Sequence, residues 1–207
     1  MKRLLLFTFS AACAFSLQAQ ECTLHCPANI VVAADSGQGG ATVRFPAATA
    51  SASCGAVTYT PASGSFFRLG SATVMTTVAS GKKCSFTVTV TDNEPPVLSR
   101  LQLSQLRLWP SDNSMHDVEV GYTATDNSGE AACTLSVTSN DPGSGGWQVL
   151  SNRLVRLQAL RLTGNKPRIY IIKVNCRDAS GNSSTRTTSI AVSETIQMKE
   201  TRTDSVK

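Results

Sequence analysis

Apolar and polar residues alternate with a period of two along much of the chain. Such runs occur at residues 86–91, 118–124, 134–138 and 170–174, where Phe, Val, Tyr, Leu and Ile alternate mainly with Thr, Ser, Glu and Lys. One apolar face per segment is typical of a half-buried antiparallel strand. Gly, Asn, Asp, Pro and Ser, which favour turns, fill the gaps between the runs. The pattern therefore predicts an all-β protein.

The segment "RLQLSQLRLW", residues 100–109, is the stretch that most resembles an amphipathic helix. Leu101 and Leu103 alternate with Gln102 and Ser104, which favours a strand, although the alternation shifts phase at Gln105. We therefore predict strand rather than helix here.

Two segments share one plan and divide the chain. Each begins with Ala-Ser-Gly, continues with a short polar segment and ends in an alternating strand whose last residue is acidic. The two segments are "ASGKKCSFTVTVTD" at 79–92 and "ASGNSSTRTTSIAVSE" at 179–194. The first is followed by "NEPPV", in which Pro95 and Pro96 lack backbone donors and stop strand pairing. The repeat predicts two tandem β-sandwich domains, at 20–94 and 97–194, joined by a proline linker at 95–96. A polar tail at 195–207 is predicted to be disordered.

The first 19 residues have the features of a secretory signal peptide. Lys2 and Arg3 precede an apolar stretch, and "LQA" places Ala19 at the expected cleavage point. "SAAC", ending at Cys13, faintly resembles a lipoprotein box, but Ser10 stands where leucine is usual, so lipid attachment there is the minor alternative. No later apolar run approaches the roughly 20 residues of a spanning helix. We therefore expect a secreted, cell-surface or periplasmic protein without a transmembrane segment.

Six cysteines follow this leader, and their even number in an exported chain indicates disulfide bonds. They are Cys22, Cys26, Cys54, Cys84, Cys133 and Cys176. Cys133 is in phase with Leu135 and Cys176 with Val174, so both face the core of the second domain, which has no other cysteine. We therefore predict a Cys133–Cys176 bond.

The four cysteines of the first domain allow three connectivities. Cys26 and Cys84 each share the parity of apolar strand residues and are favoured as one pair, which leaves Cys22–Cys54 as the other. A zinc site at Cys22, His25 and Cys26 is the weaker alternative, because the chain has no C-x-x-C pair and few histidines.

The first domain carries further motifs of a known family. They include Cys-Pro-Ala-Asn-Ile at 26–30, Cys-Gly at 54–55, Gly-Ser-Phe at 64–66 and Cys-Ser-Phe-Thr-Val-Thr-Val-Thr-Asp at 84–92. These resemble the hyalin repeat (HYR) domain over nearly the whole domain. The resemblance implies an immunoglobulin-like sandwich, related to fibronectin type III folds, that serves in extracellular adhesion or as a spacer without catalysis. Gly39 and Val78 stand where the family usually has a cysteine and an aspartate.

The second domain has motifs of its own. They are "LWP" at 108–110, "DVEVGYTATDNSG" at 117–129, "CTLSVTSNDP" at 133–142, Trp147, "RIYIIKV" at 168–174 and "DASGN" at 178–182. They resemble an immunoglobulin- or fibronectin-III-like module that often follows such repeats in bacterial secreted proteins. Together the two resemblances imply two tandem immunoglobulin-like β-sandwiches after a signal peptide.

Catalytic chemistry finds little support in the sequence. His25 lies beside a predicted disulfide cysteine, and His116 precedes a predicted strand, where we expect it to be exposed. Neither lies in a nucleophile motif. Asp112 and Asp117 are the best carboxylate pair, but both are expected in exposed loops, which argues against glycoside hydrolysis. We predict that the protein is not an enzyme and needs no cofactor.

Calcium is the minority interpretation of the acidic turns. "TDNEPP" at 91–96 resembles the acidic linkers by which cadherin-type sandwiches hold calcium, so Asp92, Asn93 and Glu94 are candidate ligands, with Asp126 or Asp178 from the second domain. The same segments also suit ordinary strand-ending turns, in which an Asx side chain bonds the backbone two residues on. We prefer the turn interpretation, including at "CRDASGNSS", residues 176–184, which is predicted to be chiefly a hairpin beside a disulfide.

These observations predict a secreted, non-catalytic module for extracellular adhesion, protein or glycan interaction, or structural spacing. The alternative is a small periplasmic or surface protein that binds glycan or calcium directly, with Trp109 and Trp147 as a possible sugar platform, although core packing is preferred for both. Outside the leader, basic residues are scattered rather than clustered, so we expect no nucleic-acid partner.

Overall fold

The computed structural model describes residues 20–141, 143 and 145–193. The predicted signal peptide, Cys13 and the predicted tail at 195–207 lie outside these residues. The described part of the chain is all-β and contains no α-helix, as predicted, and tandem immunoglobulin-like sandwiches fit it. None of its helical segments is long and apolar enough to cross a bilayer.

Residues 20–91 form eight strands and one 3₁₀ turn at Ala52–Cys54. The strands are β1 (Leu24–His25), β2 (Ile30–Ala33), β3 (Gly40–Val43), β4 (Thr49–Ala50), β5 (Val57–Thr60), β6 (Ser65–Arg68), β7 (Gly70–Val78) and β8 (Lys83–Thr91). They are arranged in sheets of order β2-β8-β7-β5, β3-β6 and β1-β4. Strand β8 follows the predicted alternation, with Phe86, Val88 and Val90 buried.

Residues 97–192 form ten further strands. They are β9 (Val97–Leu98), β10 (Gln102–Leu103), β11 (Arg107–Leu108), β12 (Met115–Gly121), β13 (Ala124–Thr125), β14 (Ala132–Ser139), β15 (Trp147–Ser151), β16 (Leu154–Gln158), β17 (Ile169–Arg177) and β18 (Ser183–Val192). Two four-stranded sheets have the orders β10-β12-β16-β15 and β11-β18-β17-β14, and β9 pairs with β13. The segment at 100–109 contains two short strands, β10 and β11, and no helix, and the residues between them, where the alternation shifts phase, are not strand.

By their contacts, the described residues divide into two compact units. The first comprises residues 20–30, Arg44–Ser65 and Thr73–Thr87, and the second comprises Val31–Val43, Phe66–Ala72 and residues 88–193. The domain boundaries predicted around Pro95 and Pro96 stay a prediction.

The first unit is held together by aromatic packing and two disulfides. The ring of Phe45 meets Phe86 edge-on at 5.0 Å and Tyr59 at 5.4 Å. Such edge-to-face pairs add to the free energy gained by burying the rings. The disulfides are Cys26–Cys84, which joins the segment before β2 to β8, and Cys22–Cys54, which packs with Val78 in a small apolar cluster.

The second unit has the larger core, built by alternate residues of its long strands. Tyr170, Ile172 and Val174 of β17 are fully buried, as are Val118 of β12 and Leu157 of β16. The Cys133–Cys176 disulfide joins two residues that face each other directly in the β14–β17 ladder. The described residues therefore contain three disulfide bonds.

Two side chains differ from their expected environment. Trp109 is 52% exposed rather than packed in the core, because it follows the last residue of the short strand β11 and leaves the sheet there. His116 lies within β12 and is half-buried, whereas we expected an exposed residue before the strand. The strand extends further back than the apolar alternation indicates, because Met115 and His116 continue the backbone ladder with β16.

Candidate functional site

Three aspartates from separate turns meet within the second unit. Asp92, Asp126 and Asp178 each offer a carboxylate oxygen, and these oxygens all lie within 4.8 Å of one another. Each aspartate is the first residue after a strand, because β8 ends at Thr91, β13 at Thr125 and β17 at Arg177. The cluster of Asp92, Asp126 and Asp178, called the aspartate cluster below, is therefore formed where three strands end.

Strand pairing explains how two of these turns converge. Strand β13 pairs antiparallel with β9, with Thr125 opposite Val97 and Ala124 opposite Leu98. Asp126, the residue after Thr125, therefore lies at the end of this ladder where residues 92–96 lead into β9. The third aspartate is connected through Asn182, whose side-chain amide donates both to the carboxylate of Asp178 at 2.9 Å and to the backbone carbonyl of Asp92 at 3.2 Å.

Asp92 is only 7% exposed, and its two carboxylate oxygens have different environments. Oδ1 accepts a hydrogen bond from the backbone N–H of Glu94 at 3.1 Å. Oδ2 is buried and has no hydrogen-bond partner. Buried polar atoms are nearly always satisfied in folded proteins, so an oxygen of this kind calls for a physical explanation.

Asp126 shows the same division between its two oxygens. Oδ1 accepts hydrogen bonds from the backbone N–H of Ser128 at 2.9 Å and from the Ser128 hydroxyl, which is the predicted Asx turn. Oδ2 is buried without a partner. The next residue, Asn127, donates its side-chain amide to the backbone carbonyl of Gln38 at 3.0 Å, while its Oδ1 is also buried without a partner.

Asp178 is held at the start of the β17–β18 turn. Its Oδ1 accepts the backbone N–H of Asn182 at 2.8 Å, and its Oδ2 accepts the Asn182 side chain. Burial raises the pKa of Asp178, but the hydrogen bonds from Asn182 and from the backbone of Gly181 and Ser180 outweigh it, so the pKa lies below its ordinary value. This carboxylate is therefore ionised at neutral pH.

The charge of the aspartate cluster is not offset by a basic side chain within the described residues. Among the residues that the structure describes, none of the three aspartates forms an ion pair with a lysine or arginine. Carboxylates this close to one another repel, and partial burial strengthens the repulsion because water screens it less. The group also contains no histidine or cysteine, so it could hold only a metal that accepts oxygen ligands.

The other proposed calcium ligands lie outside the group. Asn93 is exposed, and the carboxylate of Glu94 accepts the backbone N–H of Gly37 at 2.9 Å. A shallow cavity of about 250 Å³ lies beside Asp126 and is lined in part by Gly37, Glu94 and Asn127. Solvent therefore reaches the edge of the aspartate cluster.

The remaining sequence candidates do not form reactive sites. The Ser114 hydroxyl hydrogen-bonds to Asp112 Oδ1 at 2.5 Å and lies 2.9 Å from His116 Nε2. In a catalytic triad the carboxylate orients the histidine, whereas here it binds the serine. Cys22 and Cys26 are both disulfide-bonded, so neither offers the thiolate that zinc requires.

The carboxylate pair considered for glycoside hydrolysis has the wrong electrostatics for a general acid. Hydrogen bonds from Ser114 hold the pKa of Asp112 below its ordinary value, and the hydrogen-bonded guanidinium of Arg156 does the same for Asp117. A general acid needs a raised pKa so that it keeps its proton. Both carboxylates are instead stabilised in the ionised form.

The two tryptophans do not share an environment. Trp147 is half-buried and packs edge-on against Tyr170, with ring centroids 6.2 Å apart. Trp109 is half-exposed. Of the two indoles, only Trp109 is thus left on the surface of the second unit.

Comparison with known proteins places the first part of the chain in a family. Residues 20–90 match the family described as "HYR domain". A search of curated proteins found no match to the chain.

Solved structures with similar folds are distant. They include the extracellular cadherin domains 3–6 of protocadherin gamma B2 (14% identity, TM-score 0.35, 84% of this chain and 47% of that one). Human protocadherin-24 EC1-2 has 14% identity and a TM-score of 0.32, with 86% and 100% of the two chains covered. Titin domains I67–I69 have 13% identity and a TM-score of 0.34, with 84% and 66% covered. This chain spans less than half of the first of these structures.

The family match covers the region that carries the Cys26–Cys84 bond and the alternating strand β8. The two four-stranded sheets that follow have the arrangement expected of a second sandwich. Residues 20–90 therefore match the HYR domain, and the all-β residues that follow them fit a second immunoglobulin-like sandwich.

Proposed function

We propose that the protein is a secreted, non-catalytic module that mediates extracellular adhesion by binding a protein or glycan through the surfaces of its sandwiches. The HYR domain at residues 20–90 is the observation that carries this proposal. The three disulfides support it, because such bonds persist in oxidising compartments outside the cytosol. HYR and immunoglobulin-like folds are typically non-catalytic, and the lowered pKa values of Asp112 and Asp117 suit that role.

The second unit offers a surface on which adhesion can be tested. Strand β15 lies at the edge of its sheet, and its consecutive residues Val149 and Leu150 are 45% and 44% exposed. An edge strand presents unpaired backbone groups as well as side chains, which suits the binding of another chain. Val149→Lys would place a charge on this edge without removing a core residue.

The test is a binding screen of the disulfide-bonded protein against extracellular proteins and glycans. We expect saturable binding to at least one class, and we expect Val149→Lys to weaken it. Val31→Lys, at a valine in β2 that is more exposed than Val149, is the control. Absence of binding to both classes would contradict adhesion and leave spacing as the role.

Direct glycan recognition is a second candidate, favoured by the exposed indole of Trp109. Sugars stack on exposed aromatic faces, which present apolar area next to a polar edge. If a glycan is the ligand, Trp109→Ala should abolish its binding, while Leu106→Ala, at a neighbouring and more exposed apolar residue, should not. Equal binding by both variants would exclude Trp109 as the platform.

A further inference from the structure

We propose that Asp92, Asp126 and Asp178 bind one divalent cation, and that the cation is Ca²⁺. The proposal departs from the turn interpretation that the sequence favours. It is also independent of the adhesion proposal, because it rests on the geometry of the aspartate cluster alone.

The spacing of the carboxylates suits calcium. Ca²⁺ binds oxygens at about 2.3–2.6 Å, so two ligands of one ion lie at most about 5 Å apart. The three oxygens here are all within 4.8 Å of one another, so they can reach one Ca²⁺ without rearrangement of the turns. Mg²⁺ binds at about 2.0–2.1 Å and demands octahedral geometry, so it would require the three turns to move closer together.

Unpartnered buried oxygens provide a second and separate indication. Asp92 is more than nine-tenths buried, and its Oδ2 and that of Asp126 have no hydrogen-bond partner. A carboxylate oxygen away from water needs a donor or a cation to offset its lost hydration. A bound Ca²⁺ would satisfy both oxygens and would also cancel the mutual repulsion of the cluster.

Hydrogen bonds fix the ligands and leave lone pairs for the ion. Glu94 and Ser128 each bind only Oδ1 of their aspartate, so the opposite oxygens of Asp92 and Asp126 stay available. Both oxygens of Asp178 accept from Asn182, but each carboxylate oxygen has two acceptor sites. Partners of this kind orient metal ligands and strengthen their binding.

The ligand chemistry favours calcium over transition metals. Three carboxylates form a hard oxygen set, and no histidine or cysteine belongs to the group. Ca²⁺ takes six to eight oxygens, so backbone carbonyls and water would complete its coordination. The Oδ1 of Asn127, buried without a partner in the turn that carries Asp126, is the further side-chain oxygen that we would test.

The first experiment measures Ca²⁺ binding to the disulfide-bonded protein after EDTA treatment and dialysis. Isothermal titration calorimetry should show one Ca²⁺ per chain, with much weaker binding of Mg²⁺. Saturating Ca²⁺ should raise the Tm by several degrees, since a ligand that binds only the folded state stabilises it. No heat of binding and equal Tm values in Ca²⁺ and EDTA would overturn the proposal.

The second experiment uses variants. Asp126→Asn keeps the side-chain shape, and we expect it to weaken Ca²⁺ binding at least tenfold and to remove the Tm shift. Asp117→Asn, at an exposed aspartate paired with Arg156, should bind Ca²⁺ as the unchanged protein does. Circular dichroism in EDTA establishes that each variant is folded.

One competing explanation gives a different result. If the aspartate cluster holds a shared proton instead of a metal ion, the unchanged protein will not bind Ca²⁺, and its Tm will be the same in Ca²⁺ and in EDTA. That pair of results would overturn the calcium site. Loss of Ca²⁺ binding in Asp126→Asn but not in Asp117→Asn would support it.

Discussion

The side-chain amide of Asn182 lies 3.2 Å from the backbone carbonyl oxygen of Asp92, a residue 90 positions earlier in the chain. The same amide donates to the carboxylate of Asp178 at 2.9 Å. One side chain thus connects the β17–β18 turn to the segment that follows β8. This connection places Asp178 and Asp92 in one cluster, and its contribution to folding and to metal binding can be measured separately.

Replacing Asn182 with alanine should destabilise the protein even without metal. The variant Asn182→Ala loses a hydrogen bond to a carboxylate and one to a backbone carbonyl, and we expect a loss of about 1–3 kcal/mol in the free energy of unfolding. Denaturant unfolding in EDTA measures the loss. Asn93→Ala, at an exposed asparagine next to Asp92, is the control and should unfold like the unchanged protein. Equal stability of the two variants would contradict a structural role for Asn182.

The lowered pKa of Asp178 predicts a specific dependence of stability on pH. The folded pKa lies below the value of about 3.9 expected in the unfolded chain, so the unfolded state binds the proton more readily. The stabilisation by Asp178 is therefore complete above the unfolded pKa and is lost as pH falls through the folded pKa. In EDTA, the Tm of the unchanged protein should fall more steeply below about pH 4 than that of Asp178→Asn. Parallel curves of Tm against pH for the two proteins would show that ionisation of Asp178 does not contribute to stability.

The Cys133–Cys176 disulfide should contribute strongly to the stability of the second unit. The bond closes a loop with a sequence separation of 43 residues. In the chain-entropy model such a loop is worth about 4 kcal/mol, because the bond restricts the unfolded chain. Replacing both cysteines with alanine should therefore lower the free energy of unfolding by about that amount, as measured with urea. A loss below about 1 kcal/mol would mean that the bond adds little beyond the β14–β17 ladder.

Two arginine–aspartate pairs of different burial provide a matched comparison. Arg168 is 2% exposed and donates to Asp141 at 2.9 Å and to the Tyr170 hydroxyl at 3.3 Å, whereas Arg156 and Asp117 are exposed. Arg168→Ala should cost about 3 kcal/mol, since it removes a buried side chain together with its hydrogen bonds to Asp141 and Tyr170 and opens a cavity. Arg156→Ala should have little effect, because water screens exposed ion pairs. Equal losses in thermal unfolding would contradict this difference.

Much of the fold could be predicted because its signals are local. The alternation of Phe86, Val88 and Val90 predicts β8, and the same parity predicts that Cys84 points toward the core. The sequence predicts that Cys133 and Cys176 are bonded, but not that they lie directly opposite each other in neighbouring strands, because parity gives the face of a strand and not its neighbour or register. The exposure of Trp109 was missed for a similar reason, since it depends on where a two-residue strand ends.

The candidate site was predictable only in its parts. Asp92, Asp126 and Asp178 each lie in a recognisable turn motif, but exposed turns that bind no metal contain the same types of residue. The sequence reasoning did not identify the roles of Asn127 and Asn182. The available signals were an asparagine directly after Asp126 and another four residues after Asp178. What distinguishes a metal site from three turns is distance, and the sequence does not contain it.

The sequence alone predicted the all-β class, the strand faces and the inward direction of Cys26, Cys84, Cys133 and Cys176, because these depend on a period of two between neighbouring residues. The HYR family of residues 20–90 is likewise carried by the sequence. Only the tertiary structure decided that Asp92, Asp126 and Asp178 lie within 4.8 Å of one another and that two of their oxygens are buried without partners. The physical reason is that strand register and turn packing, which act between residues far apart in the chain, set these distances.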